Sequence, residues 1–337
     1  MNSAETKRLS VIIPGYNTPG PWWDRCLESV IRNVGENDEV ICVDDGSDVV
    51  ADELASWCGK DPRVRLVRHE ANQGLPASRN TGLELANGRF VTFVDSDDEL
   101  FPGIYDKCLA GLEEAGGDIA MFGVRSDWVD LRLAKEDVPE GGFRGEFAPQ
   151  DVLSQARSGL LYYAWNKVYR RNFLELKSLM FDCGGVPCED IVFVLQCIIS
   201  HAKWHLIDDV GINYYRTDST LLSRYKATYA KGSRLASETW KEYKKSFPLA
   251  RDVLGSFGET SDRKLFLGEW DNLWRQQSPF GLNERWRFLV ANSSRFEGST
   301  FILFIKTLIG AFTRRMLYKG FIKRMYMKRK FPSVQEY

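Results

Sequence analysis

Short apolar strands alternate with helical patterns over the first 125 residues, and this alternation restricts the fold more than any other feature. The predicted strands lie near residues 9–13, 39–43, 63–67, 90–94 and 118–122. The predicted helices lie between them, near residues 22–34, 49–58, 75–86 and 103–115. This rhythm is typical of βαβ units, in which helices cover both faces of a parallel sheet. The sequence therefore predicts an α/β fold with a mostly parallel, Rossmann-like sheet.

Three loops that directly follow apolar strands are unusually polar. They read PGYN at residues 14–17, DDGS at 44–47 and DSDDE at 95–99. In parallel sheets, ligands bind beyond the carboxyl ends of the strands, where such loops converge. We therefore expect these three loops to form one binding edge.

The third loop places Asp95, Asp97, Asp98 and Glu99 within five residues, so their charges repel unless a cation lies among them. An EF-hand calcium loop is excluded, because the positions that need Gly and Glu are Leu100 and Asp106. A carboxylate pair at a strand end can hold one hard divalent cation and leave its other positions to water and a diphosphate. The alternative is a solvated acidic loop that favours the start of the 103–115 helix.

Four segments occur in the order and spacing of a known family: LSVIIPGYN, EVICVDDGS, NQGLPASRNTGLELANGRFVTFVDSDDEL and CEDIVF. Over roughly residues 8–220 the chain resembles glycosyltransferase family 2, whose members have a GT-A fold. The resemblance implies an inverting, metal-dependent transferase that uses a nucleoside diphosphate sugar, with UDP as the favoured nucleotide. It implies a catalytic domain at 1–220, which leaves a mainly helical C-terminal region at 221–298 and a tail at 299–337.

The resemblance assigns the first two loops to the nucleoside. It implies that the nucleoside is surrounded by Pro14, Tyr16, Asn17, Asp44 and Asp45. One of the two aspartates would accept a hydrogen bond from the base. The DDGS segment is also typical of an Asx turn that caps the next helix, and both interpretations can hold together.

A helix is predicted from Leu75 to Ala86, after a turn that Gly74 permits. Ser78 and Arg79 lie on the same face as Gly82 because they precede it by four and three residues. Arg79 is a candidate for nucleotide contact and Asn80 for orienting neighbouring loops. The alternative for Arg79 is a surface arginine paired with a nearby glutamate.

The resemblance identifies Asp95-Ser96-Asp97 as the DxD motif, which binds the donor and bridges a Mg2+ or Mn2+ ion to its diphosphate. Asp95 and Asp97 are the metal candidates, and Asp98 is expected to orient the site or to contact the donor sugar. The metal would neutralise charge on the departing diphosphate.

A second acidic pair, Glu189-Asp190, opens a segment in which eight of the nine residues 191–199 are apolar. This composition predicts a helix that is buried on all sides. In the resembled family this pair supplies the general base that deprotonates the acceptor hydroxyl, and we assign that role to Asp190 with Glu189 in support. The alternative is a simple acidic helix start.

Two further segments give weaker candidates for the site. WNKVYRR resembles a family element at the acceptor site, which implies that Trp165 stacks on an acceptor sugar and Lys167 meets a phosphate, with core packing as the alternative for Trp165. In YYRTDST, Arg216 and Ser219 match an element that closes over the diphosphate, with a plain turn as the alternative.

Several enzyme classes lack their signatures in this chain. Three histidines with no Cys/His cluster argue against zinc, and no phosphate-binding or dinucleotide-binding glycine motif is present. The Gln-x-x-Arg-Trp motif of processive polysaccharide synthases is also missing, because Leu282 occupies the Gln position. The sequence therefore favours single-sugar transfer. A sugar-nucleotide pyrophosphorylase and a non-catalytic nucleotide-sugar-binding scaffold remain as alternatives.

Positive charge is concentrated at the C-terminus. Residues 299–337 hold nine Lys or Arg and one Glu, whereas the first 298 residues hold 36 basic and 45 acidic residues. A helical stripe there consists of Phe301, Phe304, Ile305, Leu308 and Phe312. This combination predicts an amphipathic helix on an anionic membrane surface, which would suit a lipid-linked acceptor in surface polysaccharide assembly. The alternative is packing on the protein itself, and no fold signal supports nucleic-acid binding.

Cysteine usage and the N-terminal sequence bear on the compartment. The seven cysteines are odd in number, form no C-x-x-C pair and lie partly in hydrophobic runs. This pattern is typical of a reducing compartment. The first apolar run is predicted to be a strand rather than a signal peptide. We therefore expect a cytoplasmic protein, peripheral at the inner face of the membrane.

Overall fold

The computed structural model describes most of the first 216 residues and two short segments beyond them. The described residues are 7–49, 52–128, 133–139, 143–148, 151–152, 155, 159–183, 189–216, 238–239 and 335–336. The predicted helical region at 221–298 and the tail at 299–337 therefore lie almost entirely outside the described residues. Their predicted boundaries stay predictions.

The described strands follow the predicted rhythm. They are β1 (Leu9–Gly15), β2 (Glu39–Asp44), β3 (Val64–Arg68), β4 (Phe90–Phe93), β5 (Glu99–Leu100), β6 (Ile119–Trp128), β7 (Leu133–Asp137), β8 (Arg144–Glu146), β9 (Lys167–Arg170), β10 (Lys203–Arg216) and β11 (Gln335–Glu336). The described helices are α1 (Gly20–Ile31), α2 (Asp52–Lys60), α3 (Leu75–Leu85), α4 (Ile104–Ala115), α5 (Arg171–Leu176) and α6 (Glu189–Ile199). The predicted fold class, a mostly parallel sheet flanked by helices, is confirmed.

The sheet has a parallel half and a mixed half. In the parallel half, β3, β2, β1 and β4 lie side by side in that order. In the mixed half, β9 lies between β4 and β6 and is antiparallel to both. β10 then runs parallel to β6 and also pairs with the short strands β5 and β8. After β6 the chain forms a hairpin, because β7 folds back antiparallel on β6.

Helix α3 packs closely on β1 and brings its polar residues to the sheet. A Cβ atom at Gly82 would come within 2.3 Å of Ile12 Cγ2, so only glycine permits this approach. The buried residues of α3 are Ser78, Arg79 and Gly82, which is the predicted face. Gly74, which precedes the helix, has a φ of 94°, in the left-handed region that glycine favours.

Helix α6 is less buried than its composition predicted. Six of its apolar residues are buried, including Phe193, but Ile191, Gln196 and Ile199 are partly exposed. The prediction of burial on all sides is therefore wrong for one stripe of the helix. Phe193 stacks on Phe181, with ring centroids 4.1 Å apart, and fixes the helix against the segment that precedes it.

Gln335–Glu336, the two described residues of the tail, form β11 and pair antiparallel with β7. No helix within the described ranges is both long enough and apolar enough to span a bilayer. The six described cysteines are all free thiols. Membrane association of the tail stays a prediction.

Candidate active site

The predicted binding edge lies at the carboxyl ends of β1, β2 and β4. Gly15 and Asp44 are paired in register at the ends of β1 and β2. Just beyond them, the Asp45 N–H donates to the Gly15 carbonyl at 2.8 Å. Thr18 and Ser96 join the first loop to the loop after β4 through a hydroxyl hydrogen bond of 2.8 Å. The three polar loops therefore form one surface, as the sequence predicts.

The first acidic loop, residues 44–47, is neutralised by the protein itself. Asp45 accepts hydrogen bonds from His69 Nδ1 at 2.7 Å and from the N–H groups of Gln73 and Gly74 at 2.9 and 2.8 Å. Asp44 accepts a hydrogen bond from the Ser47 hydroxyl, and Arg68 Nε lies 3.3 Å from its other oxygen. Both aspartates are buried and hold neighbouring loops. Their nucleoside contacts stay predictions.

The remaining nucleoside candidates lie beside this loop. Pro14 is buried within β1, whereas the Tyr16 side chain is 44% exposed at the edge of the site. Asn17 has a positive φ of 51° and its N–H donates to Ser47 Oγ at 2.8 Å. Asn17 and Asp48 also exchange two hydrogen bonds of 3.0 and 3.1 Å. Tyr16 is therefore the candidate in this group with the most ring surface open to a ligand.

The second acidic loop, residues 95–99, lacks such compensation. Among the described residues, no cationic side chain forms a salt bridge with Asp97. Burial and the neighbouring Asp95 raise the pKa of Asp97 to about 6. Asp98 is fully buried, and its Oδ2 has no hydrogen-bond partner among the described residues. Burial, together with Asp97 and Asp95, raises the pKa of Asp98 well above its ordinary value.

Asp98 helps to attach this loop to the end of β10. Its Oδ1 accepts a hydrogen bond from the Tyr215 N–H at 3.2 Å, and the Tyr215 hydroxyl donates to Glu99 at 2.7 Å. Arg25 lies over the Tyr215 ring, 3.9 Å from its centroid, and donates to the Asp97 carbonyl at 2.6 Å. The orienting role predicted for Asp98 agrees with this geometry. Arg25 and Tyr215 could not be identified from sequence, because only the tertiary fold brings α1 and β10 to this loop.

Arg79 joins the two acidic motifs that are far apart in sequence. Its guanidinium donates to Asp95 at 2.9 Å and to Asp190, and it lies 3.7 Å from Glu189. Its side chain is only 1% exposed, so the alternative of a surface arginine is wrong. Burial lowers the pKa of Arg79, but Asp190, Asp95 and Glu189 outweigh it and raise the pKa above its ordinary value. A contact between Arg79 and nucleotide stays a prediction.

Asn80 orients a neighbouring segment, as predicted. Its side chain donates to the Phe181 carbonyl and accepts from the Phe181 N–H, both at 2.9 Å. The Phe181 ring in turn lies 5.2 Å from the Arg79 guanidinium. Asn80 and Phe181 therefore pack beside the Arg79 guanidinium. The sequence did not indicate this role for Phe181.

Asp190, at the start of α6, is held at both carboxylate oxygens. Arg79 donates to Oδ1, and the Ala164 backbone N–H donates to Oδ2 at 3.3 Å. The carboxylate is still 18% exposed, and that of Glu189 is 16% exposed. Each carboxylate oxygen has two lone pairs, so Asp190 keeps the capacity to accept a proton.

The two acceptor candidates in the 165–171 segment are buried. Trp165 is 3% exposed and stacks on Tyr163 with ring centroids 4.4 Å apart, so its packing follows the core alternative. Lys167 is fully buried, and its ammonium donates to three oxygens of the protein. The structure therefore does not bring the Lys167 ammonium to the surface of the site, because its hydrogen-bonding groups point into the core.

Arg216 ends β10, next to Tyr215 and the acidic loop, but its side chain lies outside the described residues. Ser219 also lies outside them. The predicted closure over a diphosphate therefore stays a prediction.

Asp95 and Asp97, the metal candidates, lie at this site among few other possible ligands. In the part of the chain that the structure describes, no group of three or more His, Cys, Asp or Glu is arranged to hold a metal ion. Mg2+, however, commonly uses one or two carboxylates and takes its other ligands from water and substrate phosphates. Asp97 forms no ion pair within the described ranges, and Arg79 occupies only Oδ1 of Asp95. Asp95 and Asp97 therefore fit a site in which a divalent cation takes its remaining ligands from water and substrate phosphates.

Comparisons with known proteins agree with this architecture. A family model described as Glycosyl transferase family 2 matches residues 10–175. YibD of Escherichia coli strain K12, described as an uncharacterized glycosyltransferase, is 30% identical over 259 residues, which are 72% of this chain and 73% of YibD. EpsJ of Bacillus subtilis strain 168, also described as an uncharacterized glycosyltransferase, is 28% identical over 64% of this chain and 62% of its own length.

Among solved structures, residues 1–349 of S. aureus TarS in complex with UDP-GlcNAc are similar, with a TM-score of 0.61 and 18% identity. The match covers 86% of this chain and 80% of that one. A crystal structure of the same TarS fragment with UDP has a TM-score of 0.58 over 84% of this chain and 78% of that one, at 19% identity. These likenesses show a shared GT-A fold. The chain is therefore a glycosyltransferase that belongs to glycosyltransferase family 2.

Proposed function

We propose that the protein transfers one sugar from a nucleoside diphosphate sugar, with UDP as the favoured nucleotide, to a glycan or lipid-linked acceptor. The anomeric carbon is inverted in a single in-line displacement. Asp190 is the general base, Glu189 supports it, and Asp95 and Asp97 bind the donor side together with Mg2+ or Mn2+.

One observation carries the proposal: a single buried guanidinium contacts both Asp95 and Asp190. These residues are 95 positions apart in sequence, yet Arg79 donates to each of them. A donor bound at the DxD motif therefore has the candidate base close by. A single-displacement transferase needs this arrangement, because base, acceptor hydroxyl and anomeric carbon must lie together.

The residues around Asp95 and Asp190 have separate roles in the proposed reaction. Arg79 and the Ala164 N–H fix the Asp190 carboxylate, which accepts the proton of the acceptor hydroxyl as that oxygen attacks the anomeric carbon. The bond from the anomeric carbon to the diphosphate breaks, and its electron pair leaves with the nucleoside diphosphate. A divalent cation supplies charge neutralisation for this leaving group. Asp98 and Arg25 attach the acidic loop at residues 95–99 to β10 and α1.

The favoured donor follows from the fold comparison and the loops. TarS, a protein of the same fold, was crystallised with UDP and with UDP-GlcNAc. In this chain, the exposed Tyr16 ring lies at the corresponding carboxyl-terminal edge of β1, where it can stack on a base. These observations support a UDP-sugar and leave the sugar itself to experiment.

Acceptor and location rest on the sequence beyond the described core. The apolar stripe and cations of residues 299–330 favour an anionic membrane surface, where lipid-linked acceptors of surface polysaccharide assembly reside. The absent Gln-x-x-Arg-Trp motif supports single addition. A cytoplasmic protein peripheral to the inner membrane face follows from these features.

The proposal is tested with a panel of UDP-, GDP- and dTDP-sugars, with Mn2+ or Mg2+ present or chelated, followed as free nucleoside diphosphate. We expect turnover of at least one UDP-sugar that chelation abolishes. In Asp190→Asn, transfer falls by about 10²–10⁴-fold, as expected on loss of a general base, while donor binding is retained.

Glu175→Gln is the matched control, because Glu175 pairs with Arg171 on the surface of α5. It should keep full activity. Undiminished transfer in Asp190→Asn would overturn the base assignment. Binding of UDP-sugar without turnover of any donor would favour the non-catalytic scaffold instead.

A further inference from the structure

Lys167 is a fully buried lysine whose position the proposed chemistry does not explain. It begins β9, in the centre of the sheet, and its side chain is 0% exposed. The ammonium donates to the Leu160 carbonyl at 3.1 Å, to Asn166 Oδ1 at 2.7 Å and to the Tyr163 carbonyl. All three N–H groups are therefore used within the protein. Burying a charged group is costly, so a residue of this kind calls for a reason.

The Tyr163 carbonyl belongs to the same peptide group as the Ala164 N–H. Lys167 holds the oxygen of this peptide, and the N–H on its other side donates to Asp190 Oδ2 at 3.3 Å. One rigid, planar unit therefore separates the ammonium from the candidate base. A cation on the carbonyl oxygen polarises the peptide and strengthens its N–H as a donor.

The surroundings fix this peptide further. Asn166 Nδ2 donates to the Phe122 carbonyl at 3.0 Å and to the Leu160 carbonyl at 3.3 Å, which ties the 160–162 turn to β6. The Tyr169 hydroxyl donates to the Ala164 carbonyl at 3.0 Å, on the next peptide. The peptide is thus held from the sheet side, and its N–H is directed to Asp190.

We propose that Lys167 is a positioning residue for sugar transfer: its ammonium grips the Tyr163–Ala164 peptide and thereby fixes the N–H that orients Asp190. This inference rests on the proposed role of Asp190 as general base. It replaces the expectation that Lys167 contacts a phosphate of the acceptor. Burial lowers the pKa of Lys167 to about 7, and the Asp190 carboxylate opposes that shift, so the ammonium predominates below pH 7.

The test compares Lys167→Met in two backgrounds. The readout is release of UDP from the UDP-sugar that the wild-type protein turns over fastest, with Mn2+ and at pH 6.5. In the wild-type background, we expect kcat to fall by about 10–100-fold, because a displaced base costs that much. The KM for the donor should stay within about threefold, because none of the three oxygens that accept from the Lys167 ammonium belongs to the loops at 14–17, 44–47 or 95–99. In the Asp190→Asn background, the same substitution should change kcat by less than about twofold.

If Lys167→Met lowers kcat only when Asp190 is present, Lys167 acts through Asp190 and does not merely support packing of the core. An equal loss in both backgrounds, or an unchanged kcat in the single variant, would overturn the inference. If Lys167→Met does not fold, Lys167→Gln replaces it, since its amide can still donate to the Tyr163 carbonyl. Because this amide lacks the charge and the third hydrogen of the ammonium, kcat should fall by about 3–10-fold in the wild-type background and stay unchanged in the Asp190→Asn background. An equal fall in both backgrounds, or no fall in either, would overturn the inference. A wrong assignment of Asp190 as general base gives a different result, because Asp190→Asn alone would then be fully active.

Thr92→Val serves as the matched control. The Thr92 hydroxyl donates to the Lys167 carbonyl at 2.8 Å, in the buried centre of the sheet. Its loss removes one buried hydrogen bond next to Lys167 without touching the Tyr163–Ala164 peptide. We expect reduced stability and a wild-type kcat. A fall in kcat as large as that of Lys167→Met would show that loosening of β9, rather than the peptide contact, lowers the rate, and would overturn the inference.

Discussion

Two acidic loops end neighbouring parts of the sheet and look alike in sequence, but the protein treats them differently. In the loop at 44–47, Asp45 accepts hydrogen bonds from one side chain and two backbone N–H groups, and Asp44 is paired with Ser47 and Arg68. In the loop at 95–99, Asp97 has no ion pair within the described ranges and one oxygen of Asp98 has no partner there.

The difference separates a loop that builds the site from a loop left open for a ligand. Carboxylates with three donors are structural elements, because removing them strands the donors in a buried place. Carboxylates that remain buried without a cation are costly, and such groups cluster at functional sites. A divalent cation and a diphosphate would compensate Asp97 in the second loop. In the first loop Asp45 already has its donors, and Asp44 Oδ2, which accepts no hydrogen bond within the described ranges, lies 3.3 Å from Arg68 Nε.

The largest expected effect is loss of activity in Asp97→Ala. Because Asp97 is the metal candidate without an internal partner, we expect kcat to fall by about 10²–10³-fold, as on loss of a charge-stabilising group. Its stability should not decrease. The measurement is UDP release with Mn2+ titrated, together with chemical denaturation. Activity that stays sensitive to Mn2+ in this variant would show that the cation binds elsewhere.

The next effect is a loss of stability in Asp45→Ala. This substitution leaves the N–H groups of Gln73 and Gly74 without their acceptor and removes the partner of His69. We expect the free energy of unfolding to fall by about 2–3 kcal/mol, measured by urea denaturation. Asp97→Ala is the control with the same side-chain loss. Equal stability of the two variants would contradict the division between the loops.

The smallest effect is a pH dependence of stability that comes from Asp97. Its pKa is raised from 3.8 to about 6, so between these values the folded state binds a proton that the unfolded state has released. The free energy of unfolding therefore falls as pH rises through this window, by on the order of 2 kcal/mol. Asp97→Asn should remove this fall and be more stable than wild type above pH 6. Denaturation with chelator present, from pH 4 to 7, measures the difference. If the free energies of unfolding of wild type and Asp97→Asn depend on pH in the same way, Asp97 is not the source of the pH dependence.

The fold was accessible from sequence because its signals are local. The hydrophobic runs predicted five of the six strands that begin in the first 125 residues, all but the two-residue β5, and the polar loops predicted the edge of the candidate site. The position of β9 was not accessible, since an antiparallel strand between β4 and β6 depends on pairing across more than 40 residues. The partial exposure of α6 was missed because an almost wholly apolar segment has no polar stripe to mark its exposed face.

In the site, too, the residues marked by local sequence signals were predicted and those placed by long-range contacts were not. Motifs indicated Asp95, Asp97 and Asp190, and the helical face of α3 indicated Arg79. Lys167 was misplaced because nothing in the sequence around it indicates that its side chain points into the core. Arg25 and Tyr215 were missed because neither belongs to a recognisable pattern.

The sequence by itself determined which chemical groups stand at the ends of the strands, because periodicity and turn residues act within a few positions of the chain. Only the tertiary structure decided how their charges are compensated. It placed Arg79 between Asp95 and Asp190, gave Asp45 three donors, left Asp97 without an ion pair to any described residue, and turned Lys167 toward the Tyr163–Ala164 peptide. Electrostatic compensation acts through space, between groups that the chain separates by as many as 111 residues.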